Sequence, residues 1–136
     1  MPDVKLEIPP RTAYVGVVRL ALASLARSAG FDEEAVDDIK IAVSEACANA
    51  VLASEQALSD QPVSVSWSED DGECTIEVVD SGAPLVSVTD GDDSANVRQE
   101  MSLDLMRSLV AGFDLSTTDD GGNRAVLTIS RPKDAG

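Results

Sequence analysis

IAVSEACANAVLA, residues 41–53, is helix-forming and apolar almost all round, yet it carries Glu45 and Asn49 one helical turn apart. Residues at i and i+4 project about 40° apart around a helix axis, so both polar heads reach the same region. Burying a carboxylate and an amide beside Val43, Cys47 and Val51 is costly unless something satisfies them. A hydrated divalent metal carrying a phosphate would do so, because Mg²⁺ takes oxygen ligands and keeps several waters. A solvated helix face, with Ser44 beside the pair, is the alternative that this stretch leaves open.

Upstream, Val4, Leu6 and Ile8 alternate with charged residues as in a half-buried strand, which Pro9-Pro10 ends. Thr12 is placed to cap a first helix running to about Gly30, with an apolar stripe of Val15, Val18, Leu22, Leu25 and Ala29. Asp32-Glu33-Glu34 puts acid at the positive end of a second helix, which continues through Glu45 and Asn49 to about Leu58. The period then changes from 3.6 to 2. Val63, Val65 and Trp67 alternate with serines, Asp70-Asp71-Gly72 turns the chain, and Cys74, Ile76 and Val78 alternate on the way back, predicting a hairpin. Residues 81–98 lack periodicity and are rich in Gly, Asp, Ser and Pro, so they read as a long loop of the kind that serves as a lid. A third helix is expected over Gln99–Gly112, with Leu103, Met106, Leu109 and Val110 inward. Two more strands follow, Phe113–Thr118 and Arg124–Arg131, joined by a Gly-rich turn. The order β-α-α-β-β-loop-α-β-β predicts an α+β fold: a two-layer α/β sandwich whose mixed, mostly antiparallel sheet carries its helices on one face. Residues 1–136 are expected to form a single domain.

Ten basic against twenty-five acidic residues give a net charge of −15, which argues against nucleic-acid or anionic-membrane binding. The absence of histidine excludes Ser-His and Cys-His nucleophile pairs and a phosphohistidine mechanism. Cys47 and Cys74 lie apart in apolar segments and read as reduced core residues. No apolar run reaches spanning length and the N-terminus lacks a signal-peptide order, so a cytoplasmic setting is expected.

Glu45 and Asn49, then Asp80-Ser81-Gly82 at a strand end, then a long loop entering a helix form a sequence of features that resembles the Bergerat-fold, or histidine-kinase-like, ATPases. The wording is most similar to the anti-sigma-factor serine-protein kinases. DIKIAVSEACANAV (Asp38–Val51) resembles their asparagine box, VVDSGAP (Val79–Pro84) their first glycine box, and SLDLMRSL (Ser102–Leu109) the helix after their second. Without the asparagine box, Asp80-Ser81-Gly82 would read as a plain turn.

The resemblance implies ATP and Mg²⁺ as cofactors, with Asn49 holding the metal. Glu45 would be the catalytic base toward a serine hydroxyl of a substrate protein. Asp80 would accept from the adenine amino group, with Gly82 giving the ring access to the backbone. Arg98, Ser102 and Leu103 would serve the phosphate side, Ser102 by its amide and hydroxyl at a helix N-terminus, and Gly122-Asn123 would form the last box. The implied partners are a sigma factor, an anti-sigma-factor antagonist protein and a second copy in a homodimer. Two departures stand out: Glu100 and Ser102 occupy the positions of the second box's G-x-G glycines. They define an alternative, a degenerate, nucleotide-independent protein-binding regulator that keeps the fold without efficient ATP use.

Overall fold

A computed structural model describes residues 2–83 and 93–130, residues 93–99 by their backbone only. Strand β1 (Val4–Ile8) leads through a 3₁₀ turn at Thr12–Tyr14 into α1 (Val15–Ser28) and α2 (Glu33–Gln56). The hairpin β2 (Val63–Asp70) and β3 (Glu73–Asp80) follows, then α3 (Asp93–Leu109) and a second hairpin, β4 (Gly112–Thr117) and β5 (Asn123–Ser130). The five strands form one sheet in the order β1-β2-β3-β5-β4. All four pairings are antiparallel, so the expected mixed character is not found among the described strands.

Alternation decides which sheet face is covered. Val63, Val65 and Trp67 of β2, Cys74, Ile76 and Val78 of β3, and Ala125, Leu127 and Ile129 of β5 are all buried. They point to one face, where they meet Val36, Ile39, Val43, Cys47 and Ala50 of α2 and Val18 and Leu22 of α1 in one core. The other face is half-buried and polar, and there Glu77 pairs with Arg124 at 2.9 Å. Successive strand residues face opposite sides, so this division follows directly from the sequence.

The α2 ends are set by local chemistry. Asp32 accepts from the Ala35 amide at 2.8 Å, and Glu33 and Glu34 occupy the first turn. At the other end the Ser59 amide donates to the Ser54 carbonyl at 2.9 Å and Leu58 takes a positive φ of 54°, a Schellman closure built without glycine. The α1 terminus is closed by the same kind of bond, the Phe31 amide on the Ala26 carbonyl, but there Gly30 takes the positive φ.

Two expectations need correction. Thr12 does not cap α1: it opens the 3₁₀ turn, where the Tyr14 amide already bonds the Arg11 carbonyl at 3.1 Å, and α1 starts at Val15. The third helix begins at Asp93 rather than Gln99 and stops at Leu109, leaving Gly112 to open β4. Part of the expected 81–98 loop is therefore helical, and its central portion, 84–92, lies outside the described residues. Among the described residues no helix is long and apolar enough to cross a membrane.

Trp67 is the sole tryptophan, and only 1% of its surface is exposed. Trp67→Ala is expected to cost about 3–5 kcal/mol of unfolding free energy, as read by urea denaturation followed by far-UV circular dichroism. A loss below about 1 kcal/mol would mean that the sheet face is not packed as described.

Candidate functional site

Asp80 ends β3 directly opposite Asn123, the first residue of β5. Both are buried, Asp80 at 3% exposure and Asn123 at 1%. The Asp80 Oδ1 accepts from the Gly82 amide at 2.8 Å and from the Asn123 Nδ2 at 3.0 Å. The same Asn123 nitrogen donates to the Ala83 carbonyl at 2.8 Å. Burial pushes the Asp80 carboxyl up from its ordinary range, while the bonds from Gly82 and Asn123 pull it back. The Gly82 amide and the Asn123 side chain both bond Oδ1, the Asn123 backbone also bonds the carboxyl, and an ionised carboxylate has about four lone-pair positions. Acceptor capacity is left for a ligand N–H.

Two glycines allow this knot to close. A Cβ on Gly82 would run into the backbone of Ala53 and Ser54 in α2, and one on Gly122 would overlap the Asp80 carbonyl. The 80–83 segment is thereby laid flat against α2, and the Ala83 amide donates to the Ala53 carbonyl at 2.8 Å. Neither glycine is needed for an unusual φ; both are needed for close approach.

Above the knot lies a small cavity with Asn49, Asp80 and Asn123 as its polar lining and Ala46, Val78 and Met106 among its apolar lining. It has room for about one water molecule. Leu103 and Met106 close it from α3. The Asn49 Nδ2 donates to the Ser102 hydroxyl at 2.8 Å, linking α2 to α3 across the opening. Asn49, Asp80, Asn123 and Leu103 thus converge, and Gly82, Gly122 and Ser102 buttress them.

Glu45 does not line this cavity. It lines a separate, shallower depression with Arg19, Asp37, Lys40 and Ser44, on the part of α2 that adjoins Asn49. The Ser44 hydroxyl oxygen there is buried with no hydrogen-bond partner among the described residues. Glu100 is exposed on α3 and is not part of the cavity lining. The Arg98 side chain lies outside the described residues. Ser102 sits well inside α3, not at its N-terminus, so its amide belongs to the helix ladder and is not one of the unsatisfied first-turn donors. That removes the expected amide contribution and leaves the hydroxyl. Sequence reasoning missed the Asn123–Asp80 bond, for which only the β3–β5 register provides a signal.

The donor set fits a nucleotide with Mg²⁺ in a restricted way. Among the described residues no group of three or more His, Cys, Asp or Glu could hold a metal, so the protein alone forms no metal cage. A single amide oxygen beside phosphate and water is the manner in which Mg²⁺ is ordinarily held, and Asn49, whose nitrogen is engaged by Ser102, has Oδ1 to offer.

A family model for the histidine kinase-like ATPase domain matches residues 8–129. The serine-protein kinase RsbW of Bacillus licheniformis is 37% identical over 79 residues, which is 58% of this chain and 49% of that protein. RsbW of Listeria monocytogenes serotype 4a (strain HCC23) is 40% identical over 74 residues, 54% of this chain and 40% of that protein. The chain therefore matches about half the length of these relatives or less. Among solved structures, the RsbU and RsbW domains of Rv1364c from Mycobacterium tuberculosis match 97% of this chain and 33% of that one, with a TM-score of 0.70 at 22% identity. The SiaB-SiaC complex from Pseudomonas aeruginosa matches 95% of this chain and 90% of that one, at 0.62 and 12%. At these identities the structures establish the fold.

Gly82→Ala is expected to destabilise the protein by about 1–3 kcal/mol through backbone overlap with α2, measured by urea unfolding; an unchanged midpoint would contradict the close approach. The raised Asp80 carboxyl also has a pH signature. The native protein holds this proton more tightly than the unfolded chain does. The resulting stability is fully present below the ordinary aspartate value, about 4, and is lost as pH rises through the native one. Wild-type stability relative to Asp80→Asn should therefore fall as pH rises through that window and then level off. A gap that moves in wild type's favour would mean that the bonds from Gly82 and Asn123 outweigh burial.

Proposed function

Because this chain belongs to the histidine kinase-like ATPase domain family, we propose that it binds ATP with Mg²⁺ and phosphorylates a serine of an anti-sigma-factor antagonist protein. It would act as an anti-sigma factor that exchanges partners according to nucleotide state. The observation that carries this reading is the Asp80–Asn123–Gly82 knot, a buried carboxylate with acceptor capacity to spare at the floor of an apolar cavity. Such a floor suits a flat base bearing an amino group.

In this reading Asp80 accepts from the adenine amino group, and Gly82 keeps the backbone low enough for the ring to approach. Val78, Ala46 and Met106 supply apolar contact and exclude water, with Leu103 behind them. Gly122 and Asn123 hold the Asp80 carboxylate in place. Asn49 Oδ1 is the ligand for Mg²⁺, and Ser102 and Arg98 serve the phosphate side. The metal would supply charge neutralisation on the phosphates, the main requirement of phosphoryl transfer besides positioning. Glu45, on the outer flank of α2, accepts the proton of the incoming serine hydroxyl, so the substrate protein approaches from the α1–α2 side. A cytoplasmic homodimer with a sigma factor as second partner completes the proposal.

One observation favours the second reading, a nucleotide-independent regulator. The cavity has room for about one water, and the Asn49–Ser102 bond holds α3 across it. A nucleotide requires several hundred Å³, so α3 and its side chains must shift to admit one.

Titration calorimetry with ATP in the presence and absence of Mg²⁺ separates the two. Wild type is expected to bind in a metal-dependent way, and Asn49→Ala is expected to lose that dependence. No heat at millimolar ATP would favour the nucleotide-independent regulator. Glu45→Gln is expected to keep nucleotide affinity within about threefold while lowering phosphate transfer to the antagonist by about 10²–10⁴-fold. Equal transfer rates would remove Glu45 from the chemistry.

A further inference from the structure

We infer that the bond between Asn49 and Ser102 is an autoinhibitory latch, which holds α3 closed over the empty base cavity and opens when a ligand enters. The inference rests on the nucleotide-binding reading above and adds the regulation of that same site. The closed state is visible in the cavity itself. Asp80 and Asn123 line it from the sheet, and Leu103 and Met106 close it from α3. The space left holds about one water, whereas a nucleotide requires several hundred Å³.

The contacts that keep α3 in place are unevenly distributed. At its C-terminal end Arg107 stands over the Phe113 ring, 5.7 Å from the centroid, and the chain enters β4 at Gly112. Earlier in the helix, Met101 and Leu105 are exposed. Among the residues whose side chains are described, the Asn49–Ser102 contact at 2.8 Å is the one hydrogen bond between α2 and α3. Ser102 is 7% exposed, so water has little access to replace it. A hydroxyl both donates and accepts, so the latch closes whichever end of the Asn49 amide faces it. Glycine at 102 could not form it.

The consequence has a definite sign. A ligand that binds only the open form has its apparent affinity reduced in proportion to the open fraction. Losing one such hydrogen bond changes an equilibrium by about 2- to 10-fold. Removing the latch therefore tightens binding, whereas removing a group that touches the ligand weakens it.

Adenosine is the probe, because it fills the base cavity without engaging Mg²⁺ or the phosphate-side role given to Ser102. Calorimetry in excess chelator compares wild type, Ser102→Ala, Asn49→Ala and the double variant. Each single variant is expected to bind about 2- to 10-fold more tightly than wild type. The double variant should bind no more tightly than either single one, because both substitutions remove the same bond. Equal or weaker binding by the single variants, or gains that multiply in the double variant, would overturn the latch. A second readout needs no ligand. The chain has three methionines; Met106 lines the cavity and is 1% exposed, and Met101 is exposed. In methyl-labelled NMR spectra of the free protein, broadening of the Met106 signal by a soluble nitroxide is expected to rise in both single variants while Met101 stays unchanged. Equal Met106 broadening in wild type and variants would overturn the inference. If wild type binds neither ADP nor adenosine, the nucleotide reading fails, and the Met106 signal still decides whether the bond holds α3 closed.

Discussion

The hydrogen bond from Asn123 to Asp80 is the constraint on which the site depends. A buried carboxylate is tolerated only when its lone pairs are met. Here the amide of Gly82 and the side chain of Asn123 meet part of that requirement from two directions. The first fixes how the chain leaves β3, and the second fixes how β5 begins beside it. The glycines at 82 and 122 follow from this bond, because the knot closes only if the backbones of 80–83, α2 and the β4–β5 turn come into direct contact. The sheet, the central helix and the cavity floor are joined at that one point.

Around the knot, α2 serves two neighbouring depressions. Asn49 turns toward α3 and the cavity, and Glu45, one helical turn earlier, turns toward α1 and the open surface. A nucleotide reading gives this division a chemical purpose: one depression would handle the metal and phosphates, and the adjoining one would receive the group that is to be phosphorylated. The two cations in the outer depression, Arg19 and Lys40, stand out in a chain of net charge −15. Asp37 and Glu45 share the depression with them.

Much of the fold was legible because it rests on periodicity and end signals. The alternation through Val63, Val65 and Trp67 and through Cys74, Ile76 and Val78 predicted the hairpin and its buried face, and Asp32 marked the start of α2. The site was legible as a set of residues more than as a geometry. Asn49, Asp80, Leu103 and Asn123 line one cavity, and Glu45 lines another. The Asp80–Asn123 bond depends on register between strands that are distant in sequence, which no local pattern encodes. The start of α3 was hidden for a different reason: residues 93–98 carry polar and small side chains, and a helix without an apolar stripe gives no periodic signal. That misjudged boundary is also why Ser102 was expected at a helix N-terminus. Thr12 failed as a cap because a 3₁₀ turn intervened, a choice made over a few residues where propensities scarcely differ.

The central claim is that the Asp80 carboxylate is the acceptor for an adenine amino group. Adenine carries an exocyclic amino donor where hypoxanthine carries a carbonyl acceptor, so the two bases differ in the group that would face Asp80. Affinities of the wild-type protein for ADP and for inosine diphosphate, measured by calorimetry in Mg²⁺, test the claim directly. A buried polar mismatch costs about 1–3 kcal/mol, so ADP is expected to bind about 5- to 150-fold more tightly. Equal affinities, or no measurable binding of either nucleotide, would contradict the account.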